Sequence, residues 1–465
     1  MASNTNSLLP LLMLPIFISF RLTVQGNKPV YLSFPLTSAP LSINNYASKP
    51  NNNIPSYQVA SMPRPSRSNN LTHQVQRKNP ATVSSPSFNY SSKSSFKYSM
   101  ALIVSLPIGT PPQVQRMVVD TGSQLSWIQC HRKKSYHMLP PSTPFDPSLS
   151  SSFSPLPCNH PACKPLIPDF TLPTSCDQNH LCHYSYFYAD GTLAEGNLVR
   201  EKFSFSSSRS TSPLILGCAA EAGEAEGILG MNLGRLSFVS QAKVPRFSYC
   251  VPIRQEGARD KINIPTGTFY LGQNPNSGTF QYINLSTFPQ SQHMPNFDPL
   301  AYTVRMVGIQ IGAKKLNISE GVFQPDAGGS GQTIIDSGTQ YTFLVSAAYA
   351  KIREEVVRLV GTKLKKDYAY GGALDMCFDG NAMEIGRLIG DMVFQFENGV
   401  EILINKDRVM DHVGGGIHCV AVGQSESLGI AGNIIGNFQQ QNLWVEFDLI
   451  KRQVGFGIAD CSRSI

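Results

Sequence analysis

The sequence predicts an all-β chain built as two related, β-barrel-like lobes with a few short helices. Two observations carry the two-lobe reading. The stretch Val118-Val119-Asp120-Thr121-Gly122-Ser123 returns, nearly copied, at Ile334-Ile335-Asp336-Ser337-Gly338-Thr339, and Ile228-Leu229-Gly230 returns at Ile434-Ile435-Gly436. The glycine of the triplet follows the Asp by 110 positions in the first copy and 100 in the second. That unit is too long for a solenoid repeat and suits a lobe used twice, with a cleft between the copies. A third observation sets the class: 37 Gly and 33 Pro, with many Ser and Thr, break the 465 residues into short segments that favour strands over long helices.

The elements follow in chain order. Residues 8–20 form an apolar run of signal-peptide length, interrupted by Pro10 and Pro15 and too short to span a bilayer. Residues 1–26 are therefore expected to direct the chain into the secretory-pathway lumen (endoplasmic reticulum, vacuole or exterior) and to be removed. No later run suits a membrane helix, so no stable membrane span is expected. Residues 27–97, rich in Ser, Pro and Asn and without helical or strand periodicity, are expected to be a disordered linker or a removable pro-segment. The first lobe should occupy 98–280, with strands at 100–106, 117–119 and 125–129 and a Pro/Ser/Cys-rich insert between Cys130 and Cys182. Runs at 183–189 and 196–205 flank Asp190-Gly191-Thr192, and Asp-Gly between such runs marks a hairpin that could act as a lid. Residues 236–243 suit a short helix. The second lobe, 281–465, should carry a strand at 301–312 and a helix at 347–360, where Ile352, Val356 and Val360 recur every four residues. Strands at 392–396, 401–404, 443–447 and 452–457 complete it. Asn70, Asn89, Asn284 and Asn317 head glycosylation tripeptides.

The formal net charge of +7 is concentrated in one place. Residues 27–97 hold eight Lys or Arg and no acid, whereas from Tyr98 onward 29 basic residues meet 31 acidic ones. Basicity confined to one arm argues against nucleic-acid binding by the folded body. The ten cysteines all follow residue 129, and an even count behind a secretory start predicts disulfides. Cys158, His160, Cys163 and Cys182-His183 also bring zinc-ligand types together, but their spacing forms no paired metal-binding motif, so no metal and no cofactor are expected.

The matched turns carry the chemistry. Two carboxyls held face to face cannot both ionise cheaply, so one keeps a proton while the other is charged. The charged group can deprotonate a water between them, and the protonated group can donate to a carbonyl oxygen. Together they suit amide hydrolysis through a tetrahedral intermediate. Hydroxyls at Ser123 and Thr339 could hydrogen-bond the carboxyls and orient them, while Gly122 and Gly338 permit close approach. A single Asp in such a turn would simply cap it, but two matched copies argue for a shared site.

These motifs, with Tyr188 ahead of Asp190-Gly191-Thr192 and Ile434-Ile435-Gly436-Asn437, resemble the pepsin-type aspartic proteases. The Cys-rich insert, Phe247-Ser248-Tyr249-Cys250 and the ending Gly455-Phe456-Gly457 with Cys461 resemble the atypical plant branch that includes nepenthesin and nucellin. The resemblance covers essentially everything from Tyr98 on. It implies the bilobal pepsin-like acid protease fold, Asp120 and Asp336 as the catalytic pair, and a peptide or protein substrate. It further implies a monomer, with a processing role linked to cell survival in plant development. Peptide contacts would come from Tyr188, Asp190, Gly191, Thr192, Gly122, Gly338 and Thr339, and dyad support from Thr121, Ser123, Ser337 and Trp127, the last bonded to Tyr188. Cys377 would pair with Cys419, and Cys250 could reach Cys461. The sequence departs from the plant pattern after Cys130, where Arg132, Lys133 and Lys134 stand in place of further cysteines, and at Ala189, where many relatives have Gly. The alternative is a catalytically silent, protease-like inhibitor or binding protein on the same fold. Such proteins typically lose part of one Asp turn, and both turns are intact here.

Overall fold

The computed structural model describes residues 31–39, 100–130, 144–164, 174–188, 193–206, 209–222, 226–254, 266–288 and 294–463. The first acidic turn ends the strand Gln113–Asp120, whose last four residues are buried. Gly227–Gly230 runs parallel beside it, placing Ile228 opposite Val118, Leu229 opposite Val119 and Gly230 opposite Asp120. Trp127–Gln129 meets the same pair in antiparallel sense at Ile228. The second lobe repeats the arrangement: Thr333–Ile335 lies parallel to Asn433–Ile435, and Phe343 pairs antiparallel with Ile434. Runs of β-branched and apolar residues suit such strands, which are covered on both faces. The repeated glycine marks close backbone packing, since a Cβ would stand 2.5 Å from the Gln124 carbonyl at Gly230 and 2.2 Å from the Tyr341 carbonyl at Gly436.

A central sheet underlies both copies. Arg246–Cys250 pairs with Thr266–Gly272 on one side and with Leu443–Asp448 on the other, and Gln453–Ile458 and Gln281–Asn284 extend it. Phe247 stacks on Phe447 at 4.6 Å between ring centres, and Tyr302 lies 4.4 Å from the same ring. Val119, Leu229, Phe247, Ile335, Ile435 and Phe447 belong to one apolar core, so the two halves share an interior.

The all-β class holds, with correction in two places. The strands of the largest sheet follow an open path, from Gln281–Asn284 at one end to Ser175–Cys176 at the other, and no closed barrel forms among the described residues. The expectation of an unstructured 27–97 fails at Tyr31–Ala39. This segment is an inner strand, with Phe34 opposite Phe269 and Leu36 opposite Val104. Leu32, Phe34 and Leu36 alternate and pack toward the core, a period-2 signal diluted by the surrounding Ser, Pro and Asn. Residues 1–30 and 40–99, with Asn70 and Asn89, lie outside the described residues. Asn284 and Asn317 are exposed.

The main helix is Ser346–Val360, packed through Ala348, Tyr349, Ile352, Val356 and Val360 and ended by Gly361 at φ +61°. The short helix expected at 236–243 contracts to Phe238–Gln241, capped by the Ser237 hydroxyl. A further helix, Ala382–Ile389, begins at an Asn381 cap and has no counterpart in the sequence reading. All ten cysteines are paired: Cys130–Cys218, Cys158–Cys176, Cys163–Cys182, Cys250–Cys461 and Cys377–Cys419. Cys158, Cys163 and Cys182, weighed as zinc ligands, are thus disulfide partners that fasten the insert.

Candidate active site

Each acidic turn holds its own carboxyl in the same way. Gly122 N–H donates to Asp120 Oδ1 at 2.8 Å, and Gly338 N–H to Asp336 Oδ1 at 2.9 Å. The Ser123 hydroxyl donates to Asp120 Oδ2, and Thr339 Oγ1 to Asp336 Oδ2 at 2.6 Å. The two turns then interlock. Thr121 N–H donates to Ser337 Oγ at 3.1 Å, and Ser337 N–H to Thr121 Oγ1 at 2.9 Å. Each hydroxyl donates onward across the divide, Thr121 Oγ1 to the Ile335 carbonyl at 3.2 Å and Ser337 Oγ to the Val119 carbonyl at 2.6 Å. Capping a turn requires none of these crossing bonds; they fix the two loops against each other.

The result is two buried carboxyls, 7% and 6% exposed, each facing the glycine of the opposite turn, with the Asp336 charge acting on Asp120. Burial pushes the Asp120 carboxyl up from 3.8 to about 7, with the Asp336 charge adding to the rise and the Ser123 and Gly122 bonds opposing it. Glycine sets how close the loops come. A Cβ on Gly338 would stand 2.3 Å from Asp120 Oδ1, and one on Gly122 would stand 3.0 Å from Asp336 Oδ1.

The repeated apolar-apolar-Gly strands brace the turns through residues just beyond them. Met231 N–H donates to the Asp120 carbonyl at 2.8 Å, and Asn232 N–H to the Ser123 carbonyl at 3.1 Å. Asn437 Nδ2 donates to the Ser337 carbonyl at 2.9 Å, and its N–H to the Thr339 carbonyl at 2.8 Å. Behind them the Tyr302 hydroxyl donates to the Met231 carbonyl at 2.6 Å, and the Tyr249 hydroxyl to Gln440 Oε1 at 2.6 Å. Gln440 Nε2 in turn reaches the Ile435 carbonyl at 2.8 Å. Sequence reasoning missed Asn232, Tyr249, Tyr302 and Gln440 as supports. One signal was present: an Asn follows each repeated glycine, directly at Gly436-Asn437 and one residue later at Gly230-Met231-Asn232.

On the lid side, Trp127 Nε1 donates to the Tyr188 hydroxyl at 2.7 Å. Tyr186, its ring centre 5.0 Å from that of Tyr188, accepts from Gln124 N–H at 3.4 Å. The hairpin legs Cys182–Phe187 and Leu193–Glu201 pair with Phe187 opposite Leu193. Asp190, Gly191 and Thr192 lie outside the described residues. Thus Asp120, Asp336, Thr121, Ser123, Ser337, Thr339, Gly122 and Gly338 meet at one place, with Trp127 and Tyr188 joined beside it.

Comparison with known proteins agrees with this geometry. Residues 102–263 match the family model described as xylanase inhibitor N-terminal, and residues 301–457 the one described as xylanase inhibitor C-terminal. Aspartic proteinase PCS1 of Arabidopsis thaliana is 36% identical over 394 residues, which cover 79% of this chain and 84% of that protein. The chain belongs to the pepsin-like aspartic proteinase family. Another relative, aspartic proteinase nepenthesin-1 of Nepenthes gracilis, is 33% identical over 370 residues, 78% of each chain. Among solved structures, edgp shares a TM-score of 0.56 at 17% identity over 78% of this chain and 92% of that one. Conglutin gamma, a basic 7S globulin from lupine seeds, shares 0.56 at 14% identity over 92% and 95%. At these identities the shared property is the fold. For an aspartic proteinase family member, the two intact and interlocked Asp turns are the feature that bears on chemistry.

Proposed function

We propose that this chain is an aspartic-type endopeptidase that hydrolyses peptide bonds through water activated between Asp120 and Asp336. One observation carries the reading: the two carboxyls are buried and their turns are cross-braced by reciprocal Thr121–Ser337 bonds. Asp120 keeps a proton up to about pH 7 and donates it to the scissile carbonyl oxygen, while Asp336 takes a proton from the attacking water. The tetrahedral intermediate collapses as Asp336 passes the proton taken from water to the leaving nitrogen, while Asp120 takes back the proton it gave to the carbonyl oxygen. The Ser123 and Thr339 hydroxyls hold the carboxyls in plane, so little reorganisation is needed at reaction. Tyr188, pinned by Trp127, would close over the peptide, and Asp190, Gly191 and Thr192 are proposed as further peptide contacts.

The finer expectations rest on family likeness: action in the secretory lumen, a monomeric state and a processing role linked to cell survival. The silent binding-protein reading draws its support from the match to family models described as xylanase inhibitor domains. Incubation of the purified chain with a peptide library between pH 3 and pH 7 separates the two readings. Cleavage blocked by a statine-type peptide supports the enzyme; no cleavage under any condition by folded protein rejects it.

A further inference from the structure

The segment leading into the second lobe places one more carboxyl beside the dyad. Gln332 clamps the Asp298 backbone from both sides: Asp298 N–H donates to Gln332 Oε1 at 2.8 Å, and Gln332 Nε2 donates to the Asp298 carbonyl at 2.8 Å. The Leu300 N–H fixes Asp298 Oδ1 at 2.8 Å. The Leu300 carbonyl then accepts from Leu233 N–H at 2.9 Å, across to the first lobe. Leu233 directly follows Asn232, whose own N–H holds the Ser123 carbonyl. A short relay of hydrogen bonds therefore joins the Asp298 loop to the Asp120 turn.

The charges complete the placement. Asp298 lies within electrostatic range of Asp336, and the Tyr186 hydroxyl feels both Asp120 and Asp298. Tyr186 stands on the lid hairpin next to Tyr188. Asp298 thus belongs to the same electrostatic neighbourhood as Asp336 and the lid tyrosine Tyr186. Asp298 is half-buried, and no Lys or Arg pairs with it among the described residues. A carboxylate withdrawn from water without a cation is costly, and its burial pushes its pKa upward. The Leu300 bond explains a hydrogen-bond acceptor at this position, but asparagine would serve that turn equally well. The negative charge is what the turn leaves unexplained.

We propose that Asp298 is a specificity-determining residue that selects a peptide carrying a lysine or arginine close to the scissile bond. The substrate's cation supplies the partner that no described residue does. The proposal rests on the endopeptidase reading of the cleft.

The test compares peptides identical except for lysine or norleucine at each position within three residues of the cleaved bond, at pH 6. The wild-type protein should favour lysine at one position by about tenfold in kcat/KM, the gain of one modest charge pair. Asp298→Asn should bring that ratio close to one, and Asp298→Glu should keep it. The ratio is the readout, so a general loss of activity in a variant does not enter. Wild-type protein that cleaves lysine and norleucine peptides equally at every position overturns the proposal, whatever the variants do, and leaves the hydrolase reading standing. Unchanged preference in a folded Asp298→Asn overturns it too. Wild-type protein that cleaves no peptide at all overturns the hydrolase reading and this proposal with it.

Discussion

Replacing Gly338 by alanine should cost far more activity than the same change at Gly122, although the two positions are equivalent in the repeat. The new Cβ at 338 would lie 2.3 Å from Asp120 Oδ1 and 2.5 Å from its Cγ, where ordinary contact begins near 3.4 Å. The Asp120 carboxyl and the second turn must therefore separate by roughly 1 Å, and a misplacement of that size costs on the order of 100-fold in rate. At Gly122 the nearest atom, Asp336 Oδ1, is 3.0 Å away, so a shift of a few tenths of an ångström suffices and the loss should stay below about tenfold. Neither glycine has a left-handed backbone, so contact alone sets the cost. Separation should also weaken the Asp336 charge felt by Asp120 and move its pKa down toward the ordinary carboxyl range. The assay is kcat/KM on a fluorogenic peptide, with active sites titrated by a statine-type inhibitor and folding checked by thermal melting. Wild-type kcat/KM in Gly338→Ala, or a greater loss in Gly122→Ala, would refute the proposed approach of the two loops.

Four further outcomes are expected. Activity should fall as pH rises through about 7, where the dyad loses its shared proton, which a kcat/KM profile against pH would show. The folded pKa of Asp120 exceeds its unfolded value, so the stability this group contributes is present in acid and is lost as pH rises from about 4 through about 7. Asp120→Asn should remove that dependence and melt higher than wild type above pH 7. Trp127→Phe leaves the Tyr188 hydroxyl without its donor at 2.7 Å and should lower kcat/KM by about three- to tenfold, near 1 kcal/mol, with the fold intact. Replacing Cys250 and Cys461 together by serine opens a link spanning 211 positions between the central sheet and the chain's last turn. It should cost about 2–5 kcal/mol of stability, read by denaturant unfolding, and leave the dyad bonds unchanged.

What the sequence revealed and what it hid divide along a physical line. The Asp turns were legible because their chemistry is local: Asp120, Gly122 and Ser123 bond within three residues of one another, and so do Asp336, Gly338 and Thr339. Their repetition announced the pairing, since two copies of a costly acidic turn imply one site. The main helix was legible through the four-residue recurrence of Ile352, Val356 and Val360. The supports were not, because their partners are remote. Tyr302 meets Met231 at a separation of 71 residues and Tyr249 meets Gln440 at 191, and no local pattern marks a tyrosine as a brace. Asp298 resembled any polar loop residue until folding set it beside Asp336. The strand Tyr31–Ala39 had the right alternation but stood alone in a composition typical of unstructured chain, and its partners come from Ala101–Ile108 and Thr266–Gly272. Barrel closure depends on strand tilt and stagger, which side-chain patterns do not encode.

The most direct test is the turnover of one fluorogenic peptide by purified wild-type, Asp120→Asn and Asp336→Asn proteins at pH 5. If the two acids act as a single proton-sharing unit, each substitution should lower kcat by about 1,000-fold or more while the melting transition persists. Wild-type turnover in either folded variant would contradict the account.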